Sequence, residues 1–245
     1  MIEHMIHSCT GVTVTVAAGR RQTIPAFRRS QILTFPPPLG PVRVYDIGHA
    51  ELATIPRFLP TVRQVRTQGA IAPAVLNGVF QGLGAAMASG RLSWEEAVQF
   101  ALAIQADQRP SLSGGRAALR GVARQLGRGE LGRQGLADAV SLARGEHIGV
   151  GGLYVRVDGQ SDGRAAGWLS RAAMAQTANG GGMDQVTGSP LAIMAHLMLD
   201  GRVRHPGVVA PEAAVDPVDF VPLLNRVGMA ETVRMFDPEP VPADR

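Results

Sequence analysis

Lysine is absent from this 245-residue chain: all 24 of its basic side chains are arginine. A P-loop sets a Lys on the nucleotide phosphates, so that motif is excluded. A Schiff base to pyridoxal phosphate or to a substrate carbonyl is excluded too, as is a general base made from a desolvated Lys. The single cysteine, Cys9, can neither close an intrachain disulfide nor build a Cys-rich zinc site, and such usage fits a reducing compartment. Aromatic residues make up only 4%, so the core has to rest on Ala, Val, Leu, Ile and Met. Long apolar runs are lacking: the longest, residues 190–199, is too short to span a bilayer and contains His196. The opening ten residues mix acids and histidines and have no signal-peptide core. A cytoplasmic location and no membrane partner are expected.

What is present reads as globular. Apolar residues reach 45%, and the length suits one large domain or two small ones. The isoelectric point of 10.4 suggests nucleic acid at first sight. The net charge is only +4, however, and pairs such as Arg20-Arg21 and Arg28-Arg29 are not followed by a basic block interleaved with aromatics. The arginines read as a solvated surface, and no nucleic-acid partner is expected.

Along the chain the order is strands, helices, a hairpin, then helices. Residues 11–16 alternate β-branched side chains and turn at Gly19. The Pro-rich passage 35–41 cannot be helix, because proline lacks the donor and restricts the residue before it. Strands are expected over 42–47 and 61–67. A helical stripe runs over 73–88, and Ser93 with Glu96 forms a capping box that opens a helix to Ala106. Two more helices are expected over 116–126 and 136–143, joined by a Gly/Arg-rich loop. A hairpin of 147–158 with 164–176 turns at an Asp-Gly pair. The glycine loop 179–183 leads to a helix over 190–199 capped by Thr187 or Ser189, and Asp216-Pro217 starts another that ends at Gly228. Regular βαβ alternation is missing. The expected fold is α+β: a mixed, mostly antiparallel sheet with helices packed on one face. The expected segments are an N-terminal strand region (1–24), a domain over 25–236, and a disordered tail (237–245).

Several motifs bear on chemistry. Gly127, Gly129 and Gly132 spell GxGxxG, but an Arg-rich helix precedes them where a dinucleotide loop requires a strand. No GxSxG elbow is present. Tyr45, Asp46, His49 and Glu51 place four proton-transfer groups in seven residues, and Arg57 follows to hold a carboxylate. These four are the candidate catalytic residues. His49 and Glu51 also have ligand spacing, yet two ligands are not a metal site. Asn179, Asp184 and Thr187 flank the glycine loop before a helix start, where free N–H groups favour an anion. With Arg57 they form the candidate substrate-binding set; a plain loop with an N-cap is the competing reading. His4 and His7 are assigned to a disordered start; His147, His196 and His205 stand alone.

The residues 35–41 with Val44 and Tyr45, then Gly48, His49, Glu51, Thr54, Pro56 and Arg57, resemble the start of the C-terminal domain of saccharopine-dehydrogenase-like proteins. The stretches 187–192, 199–203, 207–212 and 216–220 resemble that family's closing block, and 154–158 with 164–176 its hairpin. The resemblance spans about 25–236 and is weakest in the helical middle. It implies a substrate-binding and dimerisation domain. These proteins normally carry a Rossmann domain that binds NAD(P); this sequence begins where that domain is expected to have ended, so no cofactor residue carries over.

Three functions follow from the resemblance. The first is an enzyme that keeps a pocket for a small amine, imine or carboxylate and performs non-redox cyclisation, isomerisation or elimination, without cofactor or metal. The second is the substrate and dimerisation subunit of a split oxidoreductase, with NAD(P) supplied by a separate Rossmann subunit. It predicts an apolar exposed face around the helices over 190–199 and 216–228. The third is a non-catalytic ligand-binding or scaffold protein, in which His49, Glu51 and Asp46 do not converge. A homodimer is expected.

Overall fold

Apolar side chains at positions 2, 5, 6 and 9 recur at helical spacing, and they make the first element of the chain a helix, α1 (Ile2–Cys9). The computed structural model describes residues 2–106, 108–144, 149–175, 183–203, 205, 207–227 and 234–236. The chain divides into two compact units: 1–33 with 43–147, and 34–42 with 148–245. His4 and His7, assigned above to a disordered start, lie on α1, which is anchored by the fully buried Ile6. Residues 237–245 lie outside the described set.

In the first unit, β1 (Val12–Ala17) and β2 (Arg20–Pro25) pair antiparallel with Val12 opposite Pro25. Ala18 and Gly19 both have positive φ, +51° and +76°, the backbone a two-residue hairpin turn demands. A second, three-stranded sheet runs in the order β3 (Ser30–Thr34), β4 (Pro41–Asp46), β5 (Gln68–Gly69), with Asp46 opposite Gln68. The strand expected over 61–67 is reduced to a bridge between Val16 and Val65, followed by the short β5. Helix α2 (Glu51–Phe58) follows β4.

Four helices complete the unit: α3 (Val75–Ala88), α4 (Trp94–Gln105), α5 (Leu112–Gly127) and α6 (Arg133–Ala143). The capping box at α4 forms as expected: Ser93 Oγ accepts from Glu96 N, and Glu96 accepts from Ser93 N at 2.7 Å. GxGxxG runs from the last residue of α5, Gly127, to the start of α6, a helix–turn–helix context foreign to a dinucleotide loop. The core joins Ile6, Phe27, Tyr45, Phe80, Leu83 and Phe100. Helices α3 and α5 meet along glycines: a Cβ on Gly121 would lie 1.9 Å from the Gly78 carbonyl oxygen, and one on Gly82 2.1 Å from that of Ala117. Only backbone fits there.

The second unit is built on a 12-residue hairpin, β6 (Val150–Ser161) with β7 (Arg164–Ala175), and β8 (Arg234–Phe236) pairs with β7. The turn sits at Asp162-Gly163, both at positive φ, not at Asp158-Gly159. Strand β6 continues through that first Asp-Gly, and Arg156 pairs with Asp158 along it. The Pro-rich segment packs on this hairpin, with Phe35 edge-on to Tyr154 at 5.8 Å. Helix α7 spans Met183–Leu199, so Thr187 and Ser189 lie inside it and cap nothing. Pro190 carries no N–H to reach the carbonyl four residues before it, so its ring must be accommodated mid-helix. After α8 (Pro211–Ala214), Asp216 caps α9 (Pro217–Arg226) by accepting from Val218 N at 2.9 Å. Ile193, Leu197, Ala214 and Val215 form the small core of these helices. The architecture is α+β with small antiparallel sheets and helices, as the segment order predicts.

Candidate functional site

Strand β4 delivers Tyr45 and Asp46 to opposite faces, since successive side chains on a strand alternate. Both are 1% exposed. Tyr45 turns inward: its ring stacks on Phe27 at 4.4 Å, and its hydroxyl donates to Glu130 Oε2 at 3.0 Å. Burial first, then the charge of Glu130, pushes the Tyr45 hydroxyl well above the usual tyrosine range. It is a fixed donor at neutral pH, not a proton source.

Asp46 meets a different set. Its Oδ1 accepts from Arg66 Nε at 2.6 Å and from Gln68 Nε2 at 3.0 Å, while Oδ2 is buried without a partner. Arg66 is 38% exposed at its side chain, so it is anchored by Nε at one edge and wet elsewhere. That arrangement makes a pre-oriented cation, and a guanidinium fork is suited to a carboxylate.

His49 and Glu51 stand at the end of the same strand and the start of α2. His49 Nδ1 contacts Glu51 Oε2, and both side chains are open to solvent, at 42% and 47%. Glu51 in the first turn of α2 is favoured by the helix dipole. A carboxylate on Nδ1 fixes the ring and leaves Nε2 as the outward nitrogen. His4 of α1 packs edge-on to His49 at 5.7 Å. Arg57 lies at the far end of α2, over the Phe58 ring at 5.5 Å, and forms no ion pair with Glu51 among the described residues.

The four candidates therefore split into three hydrogen-bond systems: Tyr45 with Glu130, Asp46 with Arg66 and Gln68, and His49 with Glu51. Of the loop candidates, Asn179 lies outside the described residues, Asp184 falls in the first turn of α7, and Thr187 is exposed one turn into it. The helix-start reading of Thr187 is thereby corrected. Arg66, Gln68 and Glu130 are hydrogen-bond partners of the candidate residues that sequence reasoning missed. Arg66 sits beside the buried Val65, and that alternation was its only signal; nothing in the sequence links Glu130 to Tyr45. Among the described residues no group of three His, Cys, Asp or Glu could hold a metal.

Comparisons with known proteins add the fold. No family model matches the sequence, and no curated protein does. Among solved structures the chain is similar to the apo, histidine-tagged saccharopine dehydrogenase (L-Glu forming) of Saccharomyces cerevisiae, with a TM-score of 0.55 and 13% identity. The fold is saccharopine-dehydrogenase-like. The match takes in 96% of this chain and 60% of the yeast one, so the chain spans about three fifths of the length of that saccharopine dehydrogenase. At such identity the likeness speaks for the saccharopine-dehydrogenase-like backbone alone.

Proposed function

We propose that this saccharopine-dehydrogenase-like chain performs acid/base chemistry on a small carboxylate- or amine-bearing substrate, without hydride transfer of its own. The observation that carries the reading is the exposed His49–Glu51 pair: the one histidine–carboxylate arrangement of the candidate set that a ligand can reach. In this reading His49 is the general base, Glu51 orients it, and Arg66 holds a substrate carboxylate while Asp46 holds Arg66. Tyr45 shapes the site and moves no proton.

The test is a titration of the protein with NADPH and NADH, read by nicotinamide fluorescence and by calorimetry, beside a titration with L-glutamate. No saturation by either nicotinamide is expected up to about millimolar concentration. A heat of L-glutamate binding that falls in both R66Q and H49Q would support the site. Saturable nicotinamide binding overturns the reading. L-glutamate heats that both H49Q and R66Q leave unchanged favour the non-catalytic reading, in which His49 and Asp46 stand in separate hydrogen-bond systems.

A second reading has its own observation. Leu191, Met198 and Leu199 on α7 and Val218 on α9 are exposed by 63–88%. Such an apolar surface suits a protein partner, and a separate nicotinamide-binding subunit would restore redox chemistry. Reduction of nicotinamide only when such a partner is added would favour this reading.

A further inference from the structure

Helix α5 shows two rows on its outer side. Leu112, Leu119 and Leu126 recur every seventh residue and are 81%, 71% and 43% exposed. At 100° per residue they fall within about 20° of one line, some 21 Å long. Arg116, Arg120 and Arg124 form a second row beside them, every fourth residue. The opposite face of the helix carries Gly114, Ala117, Ala118 and Gly121 and is buried. Leu112 and Leu119 therefore add little to internal packing, and Leu126 keeps nearly half of its surface open.

Charge is equally one-sided. Residues 109–133 contain six of the 24 arginines and a single acid, Glu130. Glu130 is already the acceptor of Tyr45 and lies 4.0 Å from Arg128. Arg109, Arg116, Arg120, Arg124 and Arg133 form no ion pair among the described residues, whereas Arg66, Arg156 and Arg202 elsewhere each meet an aspartate. At the amino-terminal end of the ridge, the turn between α4 and α5 opens into a depression of about 410 Å³. Phe100, Leu102, Gln108, Arg109 and Ser111 line it, again apolar groups beside an arginine.

We infer that α5 is a docking ridge for an anionic lipid surface. The leucine row enters the boundary between headgroups and acyl chains, and the arginine row takes the lipid phosphates. Charge complementarity selects an anionic occupant. The leucines select a lipid over a nucleic acid, which offers exposed leucine nothing to be buried in and prefers aromatic side chains that this face lacks. A second copy of the chain would set arginine against arginine. The ridge is convex, with arginines on one flank and Gly115 and Val122 on the other. It fits a deformable surface better than the groove a partner helix needs.

The experiment is sedimentation of the full chain with vesicles of phosphatidylcholine alone and with about 30% phosphatidylserine, at low and high salt. Binding is expected only to the anionic vesicles, at least tenfold above neutral ones, and weakening with salt. L112Q/L119Q is expected to lower it about tenfold, and R116Q/R120Q by about fivefold per arginine. All four side chains are exposed, so an unchanged melting temperature shows that each variant is folded. No binding to anionic vesicles overturns the proposal. So does binding that L112Q/L119Q leaves unchanged, or that a DNA or RNA duplex or an acidic helical peptide competes away in full at equal charge. Either of these makes the ridge a polyanion or protein site.

Discussion

Tyr45 and Glu130 stand 85 residues apart in the chain and meet in one hydrogen bond, hydroxyl to carboxylate, at 3.0 Å. The bond ties β4 to the turn between α5 and α6. Removing the hydroxyl with Tyr45→Phe leaves a nearly buried carboxylate short of a donor, at about 1–3 kcal/mol. Glu130→Gln keeps an acceptor and is expected to cost less. Urea unfolding curves decide it, and a Tyr45→Phe protein within about 0.3 kcal/mol of wild type would remove this bond from any account of stability.

The glycine seam makes a second, sharper expectation. Gly121→Ala pushes a methyl group into the Gly78 carbonyl, so α3 and α5 must separate; a loss of about 3 kcal/mol or more is expected. Gly115→Ala on the same helix meets open space and is expected to stabilise by about 0.5–1 kcal/mol. Thermal melts of the two variants should move in opposite directions.

Stability should fall in alkali. Burial pushes the Cys9 thiol up from 9.0 to about 12, so the folded state holds its proton more tightly than the unfolded chain. That contribution is complete below pH 9 and is lost as pH rises towards 12. Tyr45 shifts in the same sense. Each retained proton steepens the decline by up to about 1.4 kcal/mol per pH unit. Urea midpoints at pH 8, 9 and 10 should drop for wild type, and less for Cys9→Ala. Equal slopes would show that the thiol is not sealed.

Asp46 and Arg66 should act as a pair. Arg66→Gln leaves a buried carboxylate on Gln68 alone, and the half-exposed arginine limits the cost to about 1–3 kcal/mol. The Asp46→Asn/Arg66→Gln double variant is expected to recover part of that loss. Strict additivity in this double-mutant cycle would mean that the two side chains do not depend on one another.

Local signals in the sequence carried local structure. Ser93 and Glu96 announced α4, Asp216 and Pro217 announced α9, and the β-branched run announced β1, because each signal is made and read within a few residues. The segment order also carried the α+β class. The errors arose where several local answers were available. Two Asp-Gly pairs could turn the long hairpin, and only the cross-strand register chose Asp162-Gly163. A Ser-Pro pair reads as a helix cap, yet α7 begins six residues earlier. The candidate site was legible as a cluster but not as a geometry. Alternation along β4 separates Tyr45 from Asp46, and their partners Glu130 and Arg66 arrive from distant segments that no spacing rule connects.

The backbone-to-backbone contact of α3 with α5 also has a mechanical meaning. Where glycines touch, there are no rotamers to rearrange, so the two helices cannot slide or flex by trading side-chain positions. The outer surface of α5, with its leucines and arginines, is thus mounted on a joint without side chains to rearrange. Whatever settles on that ridge finds it already in shape. The order that binding would otherwise have to impose has been supplied in advance by folding.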